Sequence, residues 1–417
     1  MLDRHVDVDP TNGRVVGATT GGEVTRARAF ATLALAVALP LGGCSESGAS
    51  DRTNAGGHGG GVANQGGSNA SGGTATGGAA TASTAGSAST GAAGPMQLIS
   101  RDVPAFASSG MAKNANDAQP NIAWSSDALP AWLAYDVSRV PAAQRQQVLL
   151  AWYCYWADYL VTAPKPEQML ALDYVVETNT APSAAEPPAD GWQEVASVSA
   201  NAKSARQHVF ELGGASWVRL RVTESSDPAK VMIDMDLYSA PSGGSDGWLF
   251  MGDSITYMTT QRAFSNLPAL VEKAEKGRVP LVIDGALGGT NTTTAQDVIA
   301  TSLAEFEGRY VVLAYGTNDH VAEFKLEQLV QTVLAAGKIP VVPHVPWSDQ
   351  KLEEGPMLNQ SIDALYAKYP ELVPGPDLWK AFENRTDLIP AGDIHPNADG
   401  QEFLRGEWAK LIASKEP

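Results

Sequence analysis

The chain has 417 residues, with 46 Asp and Glu against 29 Lys and Arg, a formal net charge of −17, and two cysteines. So acidic a surface repels nucleic acid and anionic headgroups, which excludes both as electrostatic partners. Two cysteines cannot build a disulfide framework, so any fold must rest on apolar cores.

The first 43 residues read as an export signal. Arg26 and Arg28 precede an uncharged apolar run over 29–39, too short to span a bilayer as a mature helix, and small residues follow it. Leu41-Gly42-Gly43-Cys44 resembles the lipobox of bacterial lipoproteins. That resemblance implies cleavage before Cys44 and acylation of its thiol; an ordinary secretory signal is the alternative. Ser45 is not the aspartate linked with inner-membrane retention, so the expected location is the outer membrane or cell surface. Contact with the membrane would run only through the Cys44 lipid. Acidic and basic residues balance within 1–43, so the mature chain keeps its charge.

From 44 to 96 the composition is almost wholly Gly, Ala, Ser, Thr and Asn, with Val62 the only branched apolar side chain between 45 and 94. Too little apolar surface is available to offset the entropy of ordering, so this stretch is expected to be a tether. His58 stands alone within it and receives no ligand role.

Between 97 and 241 short strand-like runs alternate with Pro, Gly, Asn and Asp. Runs at 132–137, 147–152, 172–177, 217–222 and 231–238 predict an all-β sandwich or jelly roll. The series Asn116-Asp117, Trp124, Trp132, Tyr174, Trp192 and Trp217 resembles discoidin-like, galactose-binding-like modules. The resemblance implies carbohydrate binding, although Trp124, Trp132, Trp192 and Trp217 are expected to be core residues. Asn116 and Asp117 offer loop oxygens that could hold a structural Ca²⁺. Cys154, without a partner once Cys44 is acylated, is expected to be a small buried hydrophobe.

From 246 to 417 strands and helices alternate. Apolar runs at 248–251, 280–283, 310–314 and 339–345 are separated by helical patterns near 261–276, 294–307, 324–336, 356–369 and 398–413. Such alternation predicts a parallel sheet covered on both faces, an α/β three-layer domain. The carboxyl ends of its strands form one edge, where ligands bind. Ser254, Gly289 and Asn318 each follow an apolar run, and His395 lies in the loop before the last helix. Acyl transfer needs a nucleophile, a base and donors for an oxyanion. Ser254 supplies the hydroxyl and His395 the imidazole. The backbone N–H groups of Ser254 and Gly289 and the Asn318 amide could form the oxyanion hole.

Gly252-Asp253-Ser254-Ile255, Gly289, Gly316-Thr317-Asn318-Asp319 and His395-Pro396 together resemble the SGNH hydrolases, the GDSL esterase/lipase family. The resemblance covers about 246–417 and implies an α/β/α fold, with Ser254 as nucleophile, His395 as general base, and Gly289 and Asn318 as oxyanion donors. The family usually places its acid three residues before the histidine, where this chain has Gly392. Asp393 can orient the ring from two residues away. A backbone carbonyl, leaving a Ser–His dyad, and Asp387 are the alternatives. Asp253 is expected to be a structural hydrogen-bonder, His344 a structural histidine, and His320 a residue near the site without an assigned role.

No cofactor is required for this chemistry. No His-x-x-x-His pair or cysteine cluster suggests a metal site, and no P-loop lysine accompanies the glycines near 288. The expectation is a monomeric serine esterase that removes acyl groups, O-acetyl foremost, from a polysaccharide through a Ser-His-(Asp) acyl-enzyme. Alternatives are a lipase or lysophospholipase of the same fold, an acyltransferase, and a non-catalytic carbohydrate-binding surface lipoprotein.

Overall fold

The computed structural model describes residues 95–416 apart from 118, 120–121, 155–163 and 262–264. The signal segment, the tether, Cys44 and His58 lie outside the described residues.

Alternating side chains build the N-terminal half. Val218, Leu220 and Val222 point inward from one strand while Arg219 and Arg221 point out. Ile233, Met235 and Leu237 do the same on the strand that follows. Among the described residues the strands are β1 (Gln97–Leu98), β2 (Ala105–Ala107), β3 (Trp124–Ser125), β4 (Ala131–Asp136) and β5 (Gln147–Cys154). They continue with β6 (Ala171–Asn179), β7 (Gln193–Val198), β8 (Ala205–Glu211), β9 (Trp217–Ser225) and β10 (Met232–Ser239). One antiparallel sheet runs β1-β10-β5-β8 with β3 on β10, and the other β2-β4-β9-β6-β7. Trp124, Leu133, Trp152, Val176 and Leu220 fill the core between them. Trp124 and Trp217 are buried as expected, whereas Trp132 and Trp192 are half-buried. Cys154 is buried, and its Sγ lies 2.9 Å from the Gln168 carbonyl oxygen.

The C-terminal half is the anticipated parallel sheet. Its strands are β11 (Gly244–Gly252), β12 (Leu281–Asp284), β13 (Gly308–Ala314), β14 (Ile339–Val342) and β15 (Val373–Pro374), in the order β12-β11-β13-β14-β15. The helices are α1 (Ser254–Thr260), α2 (Leu267–Ala274), α3 (Thr292–Leu303), α4 (Leu326–Ala335), α5 (Glu354–Lys368), α6 (Leu378–Phe382) and α7 (Ala398–Ala413). Leu249 and Met251 of β11 pack with α3, α4 and α5, while Trp248 and Phe250 pack with α2, α6 and α7. A strand buried on both faces reads as an unbroken apolar run, which is why 248–251 was legible.

Two expectations need correction. Among the described residues of the helix anticipated over 261–276, α2 is the helical part, with Pro268 in its first turn. The strand anticipated to 345 stops at Val342, because Pro343 lacks the N–H a ladder needs. The short α6 and β15 had no periodic signal.

The two halves share one core. Leu149, Ala151, Tyr153 and Tyr238 from the outer face of the β1-β10-β5-β8 sheet cluster with Leu281 and Ile283 of edge strand β12. Lys203 and Arg206 reach Glu305 at 3.1 and 2.7 Å, and Lys203 Nζ also donates to the Thr301 carbonyl at 2.6 Å. The sandwich thereby shields a sheet edge that would otherwise be open to foreign pairing.

Candidate active site

The turn after β11 is built for close packing. A side chain at position 252 would begin 2.2 Å from Thr256 Oγ1 and 2.7 Å from the Ala314 carbonyl, so only glycine fits there. Asp253 caps α1, its Oδ1 accepting from Ile255 N at 2.9 Å. Burial pushes its carboxyl up to about 6, against the lowering effect of the backbone donors at Ile255 and Thr256. Ser254 follows as the first residue of the helix, half-buried at the carboxyl edge of the sheet.

His395 comes from the loop between α6 and α7. Its Nε2 lies 2.8 Å from Ser254 Oγ, although 141 residues separate them in the chain. On the ring's other side Nδ1 lies 3.0 Å from Asp393 Oδ1. The same oxygen accepts from the main-chain N–H of Ile394 at 2.7 Å and of His395 at 3.0 Å. These donors, the His395 amide foremost, hold the Asp393 carboxyl below the usual carboxylate range. Asp387 instead forms a two-pronged pair with Arg385, at 2.8 Å for each contact. The carboxylate facing the imidazole is therefore Asp393.

Two loops complete the edge. Leu287 N donates to the Gly252 carbonyl at 3.0 Å, and the Thr290 hydroxyl lies between the Leu287 and Gly252 carbonyls at 2.7 and 3.1 Å, which seats the second loop against the nucleophile turn. A side chain at Gly288 would lie 3.8 Å from Ser254 Cβ, and the next residue, Gly289, adopts φ 77°. Asn318 Nδ2 donates to the Thr290 carbonyl at 3.0 Å, leaving its second amide hydrogen for another acceptor. Asp319 receives Thr292 N at 3.0 Å and the Thr292 hydroxyl, and burial pushes its carboxyl up. Thr290, beside Gly289, and Thr292, which no motif marks, thus tie the Gly289 and Asn318 loops together.

Other candidates sit apart from this chemistry. His344 has a carboxylate on each ring nitrogen, Asp377 at 3.0 Å and Asp363 at 3.1 Å, and it joins the end of β14 to α5 and the α6 cap. His320 is exposed and its Nδ1 lies 2.8 Å from Glu354 Oε1. Asn116 Nδ2 donates to the Ser100 and Val103 carbonyls at 2.8 and 3.1 Å, bracing a turn. Among the described residues no group of three or more His, Cys, Asp or Glu could hold a metal ion.

A hydroxyl hydrogen-bonded to an imidazole that a carboxylate orients is the arrangement that activates a serine for nucleophilic attack. The model of the GDSL-like Lipase/Acylhydrolase family matches residues 250–403. Thioesterase 1/protease 1/lysophospholipase L1 of Escherichia coli K12 is 24% identical over 182 residues, which are 41% of this chain and 85% of that protein. A lipase/acylhydrolase from Enterococcus faecalis is 22% identical, with TM-score 0.34, over 41% of this chain and 97% of that one. The acetylxylan esterase Axe2 from Geobacillus stearothermophilus is 17% identical, with TM-score 0.35, over 41% and 96%. For the N-terminal half, chitosan-binding module 1 of a Paenibacillus chitosanase/glucanase is 17% identical, with TM-score 0.25, over 34% and 98%.

Proposed function

We propose that the protein is a serine esterase of the GDSL/SGNH acylhydrolase kind, whose family model matches residues 250–403, working through Ser254, His395 and Asp393. The observation that carries the reading is the 2.8 Å contact between Ser254 Oγ and His395 Nε2, backed by Asp393 on Nδ1. Ser254 Oγ attacks the ester carbonyl carbon while its proton passes to His395 Nε2. The Ser254 and Gly289 N–H groups and the Asn318 amide receive the oxyanion. Collapse breaks the bond to the alcohol, which leaves with the proton from His395. Water, losing a proton to His395, then attacks the acyl-serine carbonyl; collapse breaks the bond to Ser254 Oγ, which takes that proton back, and releases the carboxylic acid. Asp393 keeps Nδ1–H directed and offsets the charge of the imidazolium.

We further propose short acyl groups, O-acetyl foremost, carried on a polysaccharide. Leu287, Gly288 and Gly289 stand exposed beside the half-buried nucleophile, so a bulky alcohol can approach the carbonyl from solvent. On the fused sandwich Trp132 and Trp192 are half-buried indoles of the kind sugar rings stack on, although the Arg219 guanidinium lies 3.9 Å over one face of Trp192. Export and acylation of Cys44 would place this activity at the envelope surface.

The test is turnover of p-nitrophenyl acetate and of acetylated xylan by the purified protein and by Ser254→Ala. Loss of about 10³–10⁶-fold in kcat is expected. A variant running near the wild-type rate would overturn the assignment. Because the E. coli relative is named a thioesterase and lysophospholipase, long-chain esters and acyl thioesters belong in the panel. A preference for them over acetate would replace the proposed substrate class.

A further inference from the structure

We infer that the 3₁₀ turn Asp349–Lys351 is a positioning element that holds the His395 loop and the Asn318 loop in register. This rests on the hydrolase reading and adds residues to it.

The tip of the His395 loop is exposed at Ala391, Gly392 and Asp393. Its own hydrogen bonds are internal: Asp393 N donates to the Pro390 carbonyl at 3.0 Å, and Asp393 Oδ1 collects Ile394 N, His395 N and His395 Nδ1. That network makes Asp393 and His395 one rigid unit, yet it does not fix where the unit sits relative to Ser254. The outside grip comes at Gly392. Its N–H donates to both carboxylate oxygens of Asp349, at 3.1 and 2.9 Å, and its carbonyl accepts from Gln350 Nε2 at 2.6 Å. Gly392 takes φ 77°, a backbone state that suits glycine, so the residue three before His395 trades a carboxylate for a grip on its peptide.

The next residue of the turn reaches the other way. Lys351 Nζ donates to the Asp319 carbonyl at 3.3 Å, directly after Asn318, and pairs with Glu354 at 3.0 Å. The turn is itself anchored, since Val345, Trp347 and Ser348 before it are buried and Val345 N donates to Asn359 Oδ1 at 2.8 Å. One buried root therefore fixes the base on one side and the oxyanion donor on the other. Misplacement of about 1 Å at a reacting group costs up to about 100-fold in rate.

The experiment compares the full-length wild type with Asp349→Ala, Asp349→Asn and Gln350→Ala. It measures kcat and KM on p-nitrophenyl acetate, thermal melting, and the low-field Nδ1 proton resonance of His395. Asp349→Ala should lower kcat up to about 100-fold with KM little changed, and should broaden the imidazole resonance. Asp349→Asn keeps an acceptor for Gly392 N–H and should restore most of the rate, which a bulk loss of folding would not. Gln350→Ala should show a smaller fall of the same kind. Wild-type kcat in Asp349→Ala, or equal loss in the Ala and Asn variants, overturns the brace. Should the wild type turn over no ester, the hydrolase reading fails by itself, and an unchanged His395 resonance in Asp349→Ala would still overturn the brace.

Discussion

Asp393 Oδ1 receives both the main-chain N–H and the ring Nδ1 of His395, at 3.0 Å each. One carboxylate oxygen thus sets the backbone of the residue and the orientation of its ring. The i, i+2 spacing suffices because the loop curls back on Asp393 rather than extending past it.

Replacing Asp393 with Asn removes the charge that balances the imidazolium and permits the wrong tautomer. In the worked serine-protease triad the equivalent change costs about 10⁴-fold in kcat. A smaller loss is expected here, because solvent reaches both side chains, which are 37% and 49% exposed. The same lowering of its pKa keeps Asp393 ionised through mildly acidic conditions, so the wild-type acid limb should not report its protonation. A pH–rate profile of Asp393→Asn with unchanged kcat would assign the ring's orientation to another group.

Asn318→Ala should lower kcat by about 10²–10³-fold with little effect on KM, as loss of one oxyanion donor does elsewhere. The substitution also frees the Thr290 carbonyl, so the Gly289 loop loses one of its ties to the Asn318 loop, the Thr292 bonds to Asp319 remaining. Thr292→Val supplies the control. It removes the hydroxyl bond to Asp319 while leaving the Thr292 N–H bond and the Asn318 donor in place, and should cost stability more than turnover. Equal kcat losses in the two variants would mean that loop position, not the amide, carries the effect.

Stability against pH should show two opposing slopes. Burial raises Asp253 from 3.8 to about 6, so the folded state keeps a proton that the unfolded chain releases. Its contribution therefore falls as pH rises across that window. Burial lowers His208, held 2.9 Å from the Tyr174 hydroxyl, from 6.5 to about 4. There the unfolded chain binds the proton first, and stability falls as pH drops. Denaturation midpoints of Asp253→Asn, which keeps an N-cap acceptor, should fall more steeply with acid than wild type. His208→Gln should flatten that acid loss. Parallel curves for all three proteins would refute both assignments.

Much of the α/β half was readable from patterning, since the strands at 248–251 and 310–314 are apolar runs and α3, α4, α5 and α7 have helical period. Strand β8 escaped because Arg206, Gln207 and His208 look like surface residues. In the fold Gln207 and His208 are buried or nearly so, one on each face of a sheet sandwiched between two cores. The shared core across β12 was equally hidden, because the outward residues Leu149, Ala151 and Tyr153 read as part of an ordinary strand.

Residue order and spacing determined that a serine, a glycine, an asparagine and a histidine would each fall at a strand end or the final loop, because apolar periodicity sets where strands stop. Only the tertiary structure decided which carboxylate meets the imidazole, and that Asp349, Gln350 and Lys351 grip both flanking loops. The contacts of that turn join polar residues 32 to 43 positions apart in the chain. No local pattern marks such residues, since their partners are chosen by the packing of the core beneath them.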